Sequence, residues 1–306
     1  MRKPKKSDAS PIAELLNAHA WEQHGEAVVA PEAVAHWFRL PDVEFWVAEG
    51  PRGELAAYAD VREEAERTRY WLDLREHPGR RDLGGARALL RVAEEWSRRR
   101  ASPRALLRGV VTEPDEPVRT LYEAAGYRFV RHALEMRTDL DVDLPEPQWP
   151  DGMAVRAFVP DEDEQRVYEA DMEAFEDHWE FVREPFATWR AGLVEHPSFD
   201  PLLWFLVEDG REVAGFCLCG VHESGDPAFG YVTVLAVRRP WRRRGLGLAL
   251  LRHAFREFRL RGMTRAGLDV DAENLTGAVR LYERAGMRIA KRRDILEKPL
   301  SSEDPG

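Results

Sequence analysis

The chain has 306 residues, 44% of them hydrophobic and 10% aromatic, with a formal net charge of -10. That is globular composition, long enough for two domains, and no apolar run approaches a membrane span. The acidic balance argues against general nucleic-acid binding and suits a cationic small molecule.

The basic start, Met1-Arg2-Lys3-Pro4-Lys5-Lys6, lacks the apolar stretch of a signal peptide, so the expected location is the cytoplasm. Apolar periodicity then predicts helices over Pro11–Ala20 and Pro31–Leu40 and strands over Val43–Ala48, Leu55–Val61 and Arg69–Leu74. A helix Leu83–Arg99, a strand Ala105–Val111, a helix Asp115–Ala125 and a strand Arg128–Met136 follow. Residues 141–152, with three prolines and four acids, read as an exposed linker. Beyond it come a strand Met153–Phe158, helices Glu162–Ala174 and Pro185–Glu195, and strands Leu202–Val207, Glu212–Val221 and Tyr231–Val237. The series ends with a helix Leu246–Arg259, a strand Arg265–Val270, a helix Leu275–Ala285 and a strand Met287–Glu297. Cys217 and Cys219, the only cysteines, sit two apart on one strand and face one side, which suits neither a mutual disulfide nor a zinc site. No metal is expected.

The second series repeats the first at a period of about 160 residues. Ala88-Leu89-Leu90-Arg91 returns as Ala249-Leu250-Leu251-Arg252, and Leu121-Tyr122-Glu123 returns as Leu281-Tyr282-Glu283. Phe45-Trp46-Val47-Ala48-Glu49 is matched by Trp204-Phe205-Leu206-Val207-Glu208. Matched blocks in one order imply a duplicated domain, with copies at 1–140 and 153–306 and a mixed α/β sheet flanked by helices in each.

Between the strand ending at Val237 and the next helix lies Arg242-Arg243-Arg244-Gly245-Leu246-Gly247. Glycines let a backbone approach an oxyanion, the first helical turn offers unpaired N–H groups, and arginines supply attraction. Arg-x-x-Gly-x-Gly after a strand and before a Leu-Leu helix resembles the acetyl-CoA loop of the GNAT N-acetyltransferases. About thirty residues on, Asn274 and Tyr282 match two further positions of that family. The resemblance covers nearly the whole chain and is to the tandem two-domain type, similar to the mycothiol synthases. It implies acetyl-CoA as co-substrate, wedged between two splayed strands near Val237 and Asp269. It also implies a small-molecule primary amine as acceptor. Leu235, Ala236, Val237, Arg242, Arg243, Arg244, Gly245, Leu246, Gly247, Leu248, Asn274 and Tyr282 would hold the cofactor, with Tyr282 facing the thioester sulfur. Mycothiol synthases carry a glutamate on the strand before the loop; here Tyr231 stands there.

The general base must therefore come from elsewhere. Glu176, Asp177 and His178, between the two early helices of the second copy, are the candidates, Glu176 first; Asp269 and Asp271 flank the cofactor strand. The first copy departs further. Its loop places Asp82 inside the cradle, and Pro114 stands at the position of Asn274, although Tyr122 is kept. The expected catalytic copy is the second. The alternative is a non-catalytic acyl-CoA-binding protein, and a third reading makes the arginine run a nucleic-acid patch. The acceptor and the oligomeric state are not readable from the residues.

Overall fold

The computed structural model describes residues 1–140, 143–179, 181–273 and 277–300 and, of residues 82 and 83, the backbone alone. Two compact units emerge. One comprises residues 1–132 together with the C-terminal stretch that begins at Arg292, and the other residues 133–291.

In the N-terminal unit, α1 (Ala9–His24) and α2 (Pro31–Trp37) precede β1 (Val43–Glu49), β2 (Leu55–Glu64) and β3 (Arg69–Glu76). Then come α3 (Gly85–Arg100), β4 (Leu106–Thr112), α4 (Glu116–Ala124) and β5 (Arg128–Asp139). The C-terminal unit continues with β6 (Ala154–Ala157), α5 (Glu164–Phe175), α6 (Phe186–Leu193), β7 (Trp204–Asp209), β8 (Glu212–Val221) and β9 (Phe229–Val237). It proceeds through α7 (Leu246–Leu260), β10 (Arg265–Asp271) and α8 (Ala278–Arg284) into β11 (Arg288–Pro299).

The last strands are exchanged. β11 pairs antiparallel with β4 through Arg293–Pro299, so the N-terminal sheet runs β1-β2-β3-β4-β11. β5 pairs antiparallel with β10 through Ala133–Asp139, and the C-terminal sheet runs β5-β10-β9-β8-β7-β6. The compact units thus depart from the division at 140 and 153. Residues 133–139 belong to the later unit and 292–299 to the earlier one. Hydrogen-bonding and burial drive the exchange: Leu296 is fully buried among the N-terminal unit's apolar residues, and Met136 among those of the C-terminal unit. Residues 143–152 are also less free than a linker, since Leu144 is buried and Glu146 pairs with Arg256 of α7 at 2.7 Å.

Each sheet has helices on both faces, as its period-2 strands require. In the C-terminal unit α7 lays Leu246, Leu250, Ala254, Phe255 and Phe258 on one face, and α5 and α6 cover the other with Val167, Tyr168 and Trp189. Each such Leu or Phe, fully buried, contributes roughly 1.5–3 kcal/mol. The face under α7 also takes Cys217 and Cys219, unbonded and with sulfurs 3.4 Å apart, on the common side that their spacing predicts. Trp189 is buried core; its indole N–H donates to Asp171 at 2.9 Å.

Candidate functional site

The two central strands of the C-terminal sheet part company half-way along. β9 and β10 are parallel and paired only from Phe229 with Arg265 to Val232 with Leu268, although both run further. A break in the register of β9 against β8 falls at the same point. Leu218 opposes Val234 and Cys219 opposes Val232, which leaves Thr233 as an extra, exposed residue. Such a bulge bends its strand and strengthens the twist, adding to the divergence of β9, while β10 stays with β5 along its whole length. Beyond Val232 the backbone groups of β9 that do not face β8 have no β10 partner. Leu235, Ala236 and Val237 line that open fork.

At its end the chain turns into α7 through Gly245, which takes φ +87° as the helix N-cap; a side chain there would be strained. Open space lies above it, with no heavy atom within 4 Å of where a Cβ would stand. Gly247 has a different task, since a Cβ there would press to 3.2 Å from Leu281 of α8. The first backbone bond of the helix is donated by Ala249 to Gly245, so the amides of residues 246–248 point out unpaired. Leu246 itself is buried, whereas Gly247 and Leu248 are half-buried.

The arginine run divides. Arg242 turns inward: its Nε donates to the Val237 carbonyl at 3.0 Å, and its other nitrogens reach the Ala174 carbonyl and Asp177 Oδ2, each at 2.8 Å. Arg239 also binds Asp177, and Arg238 binds Glu173 and Glu212. Three of the five arginines between Arg238 and Arg244 are thus answered by carboxylates, and of the three expected to hold the cofactor Arg242 is one of these. Arg243 and Arg244 remain exposed, and among the described residues neither side chain has an ion-pair or hydrogen-bond partner. They flank the unpaired amides and carry the local positive charge.

Tyr282 stands on α8 within the apolar layer under α7, 8% exposed. Burial pushes its phenol up to about 12, with Cys217 adding to the rise, so it keeps its proton at neutral pH. Among the described residues its hydroxyl makes no hydrogen bond. Helix α8 is described from Ala278 after Gly277 at φ +77°; the expected start at Leu275 lies outside the described residues. Asn274 lies outside the described residues, as does the side chain of Asp82.

The segment after α5 separates the base candidates. Arg239 and Arg242 hold the exposed Asp177 carboxyl down at about 2. Glu176 is half-exposed and 3.6 Å from Arg239. His178 is half-buried with its ring against Phe175 (4.3 Å), and its proton affinity is lowered by burial and then by Arg242, opposed by Asp271 and Asp177. It is neutral at pH 7. Asp271 accepts from the Glu273 amide at 3.0 Å and so holds the turn after β10, while Asp269 is exposed beside the fork. Among the described residues there is no cluster that could hold a metal, and no helix is long and apolar enough to cross a membrane.

One family of known proteins matches both halves of the chain. Its model, described as "Acetyltransferase (GNAT) family", matches residues 12–127 and again 164–287. The chain belongs to the GNAT acetyltransferase family. It is therefore an acyltransferase in tandem form, and both matches stop short of the exchanged strands. Among curated relatives, mycothiol acetyltransferase of Thermomonospora curvata is 38% identical over 211 residues, covering 69% of this chain and 67% of that one. The protein of the same name from Streptomyces bingchenggensis is 33% identical over 245 residues, covering 78% and 76%. Among solved structures, a GCN5-related N-acetyltransferase from Sphaerobacter thermophilus matches with a TM-score of 0.79 at 32% identity, over 98% of this chain and 95% of that one. A tandem GNAT protein from the clavulanic acid biosynthesis pathway shares the fold, with a TM-score of 0.77 at 18% identity over 99% and 98%.

Proposed function

We propose that this acetyltransferase moves the acetyl group of acetyl-CoA directly onto a primary amine of a small molecule, and does so in the C-terminal unit. The observation that carries the reading is the open fork of β9 and β10 ending on unpaired helix amides beside two uncommitted arginines. Arg243, Arg244 and the amides of residues 246–248 hold the pyrophosphate; a helix start adds about 0.3–1 kcal/mol per charge to the arginines' share. The free backbone edge at Leu235–Val237 takes the hydrogen bonds of the extended arm and steadies charge growing on the acetyl oxygen. Tyr282, protonated at working pH, donates to the departing thiolate.

An alkyl amine with a pKa near about 10.4 arrives protonated, and removing that proton at pH 7 costs roughly 4–5 kcal/mol without help. His178 takes it, directly or through a water, because it is neutral at that pH while Asp177 is locked between two arginines. Glu176, facing Arg239, is the weaker candidate. Asn274, outside the described residues, is proposed for the arm of the cofactor. Relatives named mycothiol acetyltransferases put the amine precursor of mycothiol first in an acceptor screen. Tyr231 in place of the glutamate expected there is the reason to screen other amines too.

The test is release of free CoA thiol from acetyl-CoA with a panel of small amines, followed by Tyr282→Phe. Amine-dependent release that the substitution slows supports the reading. No release with any amine, together with no acetyl-CoA binding, would discard the donor.

A further inference from the structure

The N-terminal unit contains the same fork and has filled it. β3 and β4 are parallel and paired only from Arg69 with Leu106 to Leu72 with Gly109, the same span as in the other unit. α3 starts on Gly84 at φ +69°, as α7 starts on Gly245. Four side chains of this unit occupy what is open in the other.

Glu76 closes the anion cradle. It ends β3 opposite Ala57, as Val237 ends β9 opposite Gly215, so one position carries a carboxylate in one copy and an isopropyl group in the other. The Ala86 amide in the first turn of α3 donates to Glu76 Oε1 at 3.2 Å, and the residue is 8% exposed. A buried carboxylate on a helix start is where a phosphate oxygen would sit. Arg75 closes the fork itself, its guanidinium donating to the Leu74 carbonyl and across to the Val110 carbonyl of β4 at 3.4 Å.

Tyr122, the counterpart of Tyr282, has sunk. Its ring lies on Gly109, where a Cβ would be 2.5 Å from Cζ; Leu268 has that register position in the other unit. Tyr122 is fully buried, and among the described residues its hydroxyl has no hydrogen-bond partner. His19 of α1 then latches the mouth, with Nδ1 3.0 Å from the Glu76 carbonyl and Nε2 3.0 Å from Asp115 Oδ2, just before α4.

We infer that the N-terminal unit is closed to acyl-CoA by its own side chains, with the Glu76 carboxylate standing in for the cofactor's phosphate. The inference rests on the proposed donor only for what the fork would otherwise hold. It sets one acyl-CoA per chain, and it makes Glu76 against Val237 the residue pair that decides which fork is open.

Calorimetric titration of the full chain with acetyl-CoA tests it, using wild type, Val237→Glu and Val237→Ile. One site per chain is expected, at least 100-fold weaker in Val237→Glu and unchanged in Val237→Ile. Gly245→Glu should abolish the same site and covers the case in which Val237→Glu fails to fold; Gly84→Glu should leave it intact. Two sites in wild type, or a site that survives both Val237→Glu and Gly245→Glu, overturns the inference. No site in wild type agrees with a closed N-terminal unit and discards the donor reading instead, so the two failures are told apart.

Discussion

The two units split their central parallel strands at equivalent registers, after Leu72 and Gly109 in one and after Val232 and Leu268 in the other. Only the later unit has the bulge, at Thr233; β2 and β3 pair without a register break. Splaying is thus a property of the shared topology, and what the gap contains is decided by a few side chains. A carboxylate at the end of one strand, an arginine beside it and a glycine under a tyrosine convert a cleft into core. On the proposed reading, duplication left one copy to bind and the other to pack.

The largest contrast should appear at the paired tyrosines. Tyr282→Phe is expected to slow acetyl transfer by about 100-fold with acetyl-CoA affinity nearly unchanged, in the lower range of general-acid effects. Tyr122→Phe, deep in the filled fork, should leave the rate alone. Equal rates in all three proteins would take Tyr282 out of the chemistry and erase the contrast.

Next in size is a buried carboxyl of the open unit. Burial lifts Asp171 to about 6 from 3.8, against the hydrogen bond from Trp189. A folded pKa above the unfolded one means that the native state holds a proton the unfolded chain releases. The contribution is full below about pH 4 and is lost as pH rises towards 6, a difference of roughly 2–3 kcal/mol. Asp171→Asn keeps an acceptor for the indole and should raise the melting temperature by several degrees at pH 8 but hardly at pH 4. An equal shift at both values would show the carboxyl to be ionised throughout.

Gly109→Ala forces a methyl to 2.5 Å from the Tyr122 ring and should destabilise the protein by roughly 1–3 kcal/mol in denaturant unfolding, with acetyl-CoA binding kept. A loss of binding equal to that of a cofactor-loop variant would mean that the filled fork is a second site after all. The smallest effect belongs to the exposed arginines. Arg244→Ala should weaken acetyl-CoA by about tenfold, more so at low salt, without changing the melting temperature. Arg242→Ala should do the reverse, lowering the melting temperature because its three hydrogen bonds brace α5 against the loop.

Much of this was readable from residues alone. Periodicity gave nearly every strand and helix to within a few positions, and the repeated Leu-Tyr-Glu blocks gave the tandem order. The glycine-and-arginine loop marked the helix start that the structure leaves open. Side-chain direction was not readable, because five nearby arginines look alike in a string, whereas Asp177 and Glu173, more than sixty positions away, claim three of them. The bulge at Thr233 hides in a β-branched run, although β9 is one residue longer than β3 when the copies are aligned. Glu76 looks like any acid at a strand end until the Ala86 amide is seen to point at it. The strand exchange has no local signal at all, since β11 follows α8 just as β5 follows α4 and only long-range pairing tells them apart.

That exchange reverses the order in which the protein can be finished. A nascent chain generally folds domain by domain from its N-terminus, and residues 133–291 form one uninterrupted unit, complete as soon as Lys291 has emerged. The first unit to be translated has no such privilege. β4 waits for Arg293–Pro299, and Arg108, fully buried, waits for Glu297 at 2.8 Å. The half of the protein made first is therefore the last to close, and a stop codon just before Arg292 would injure the far end of the sequence rather than the near one.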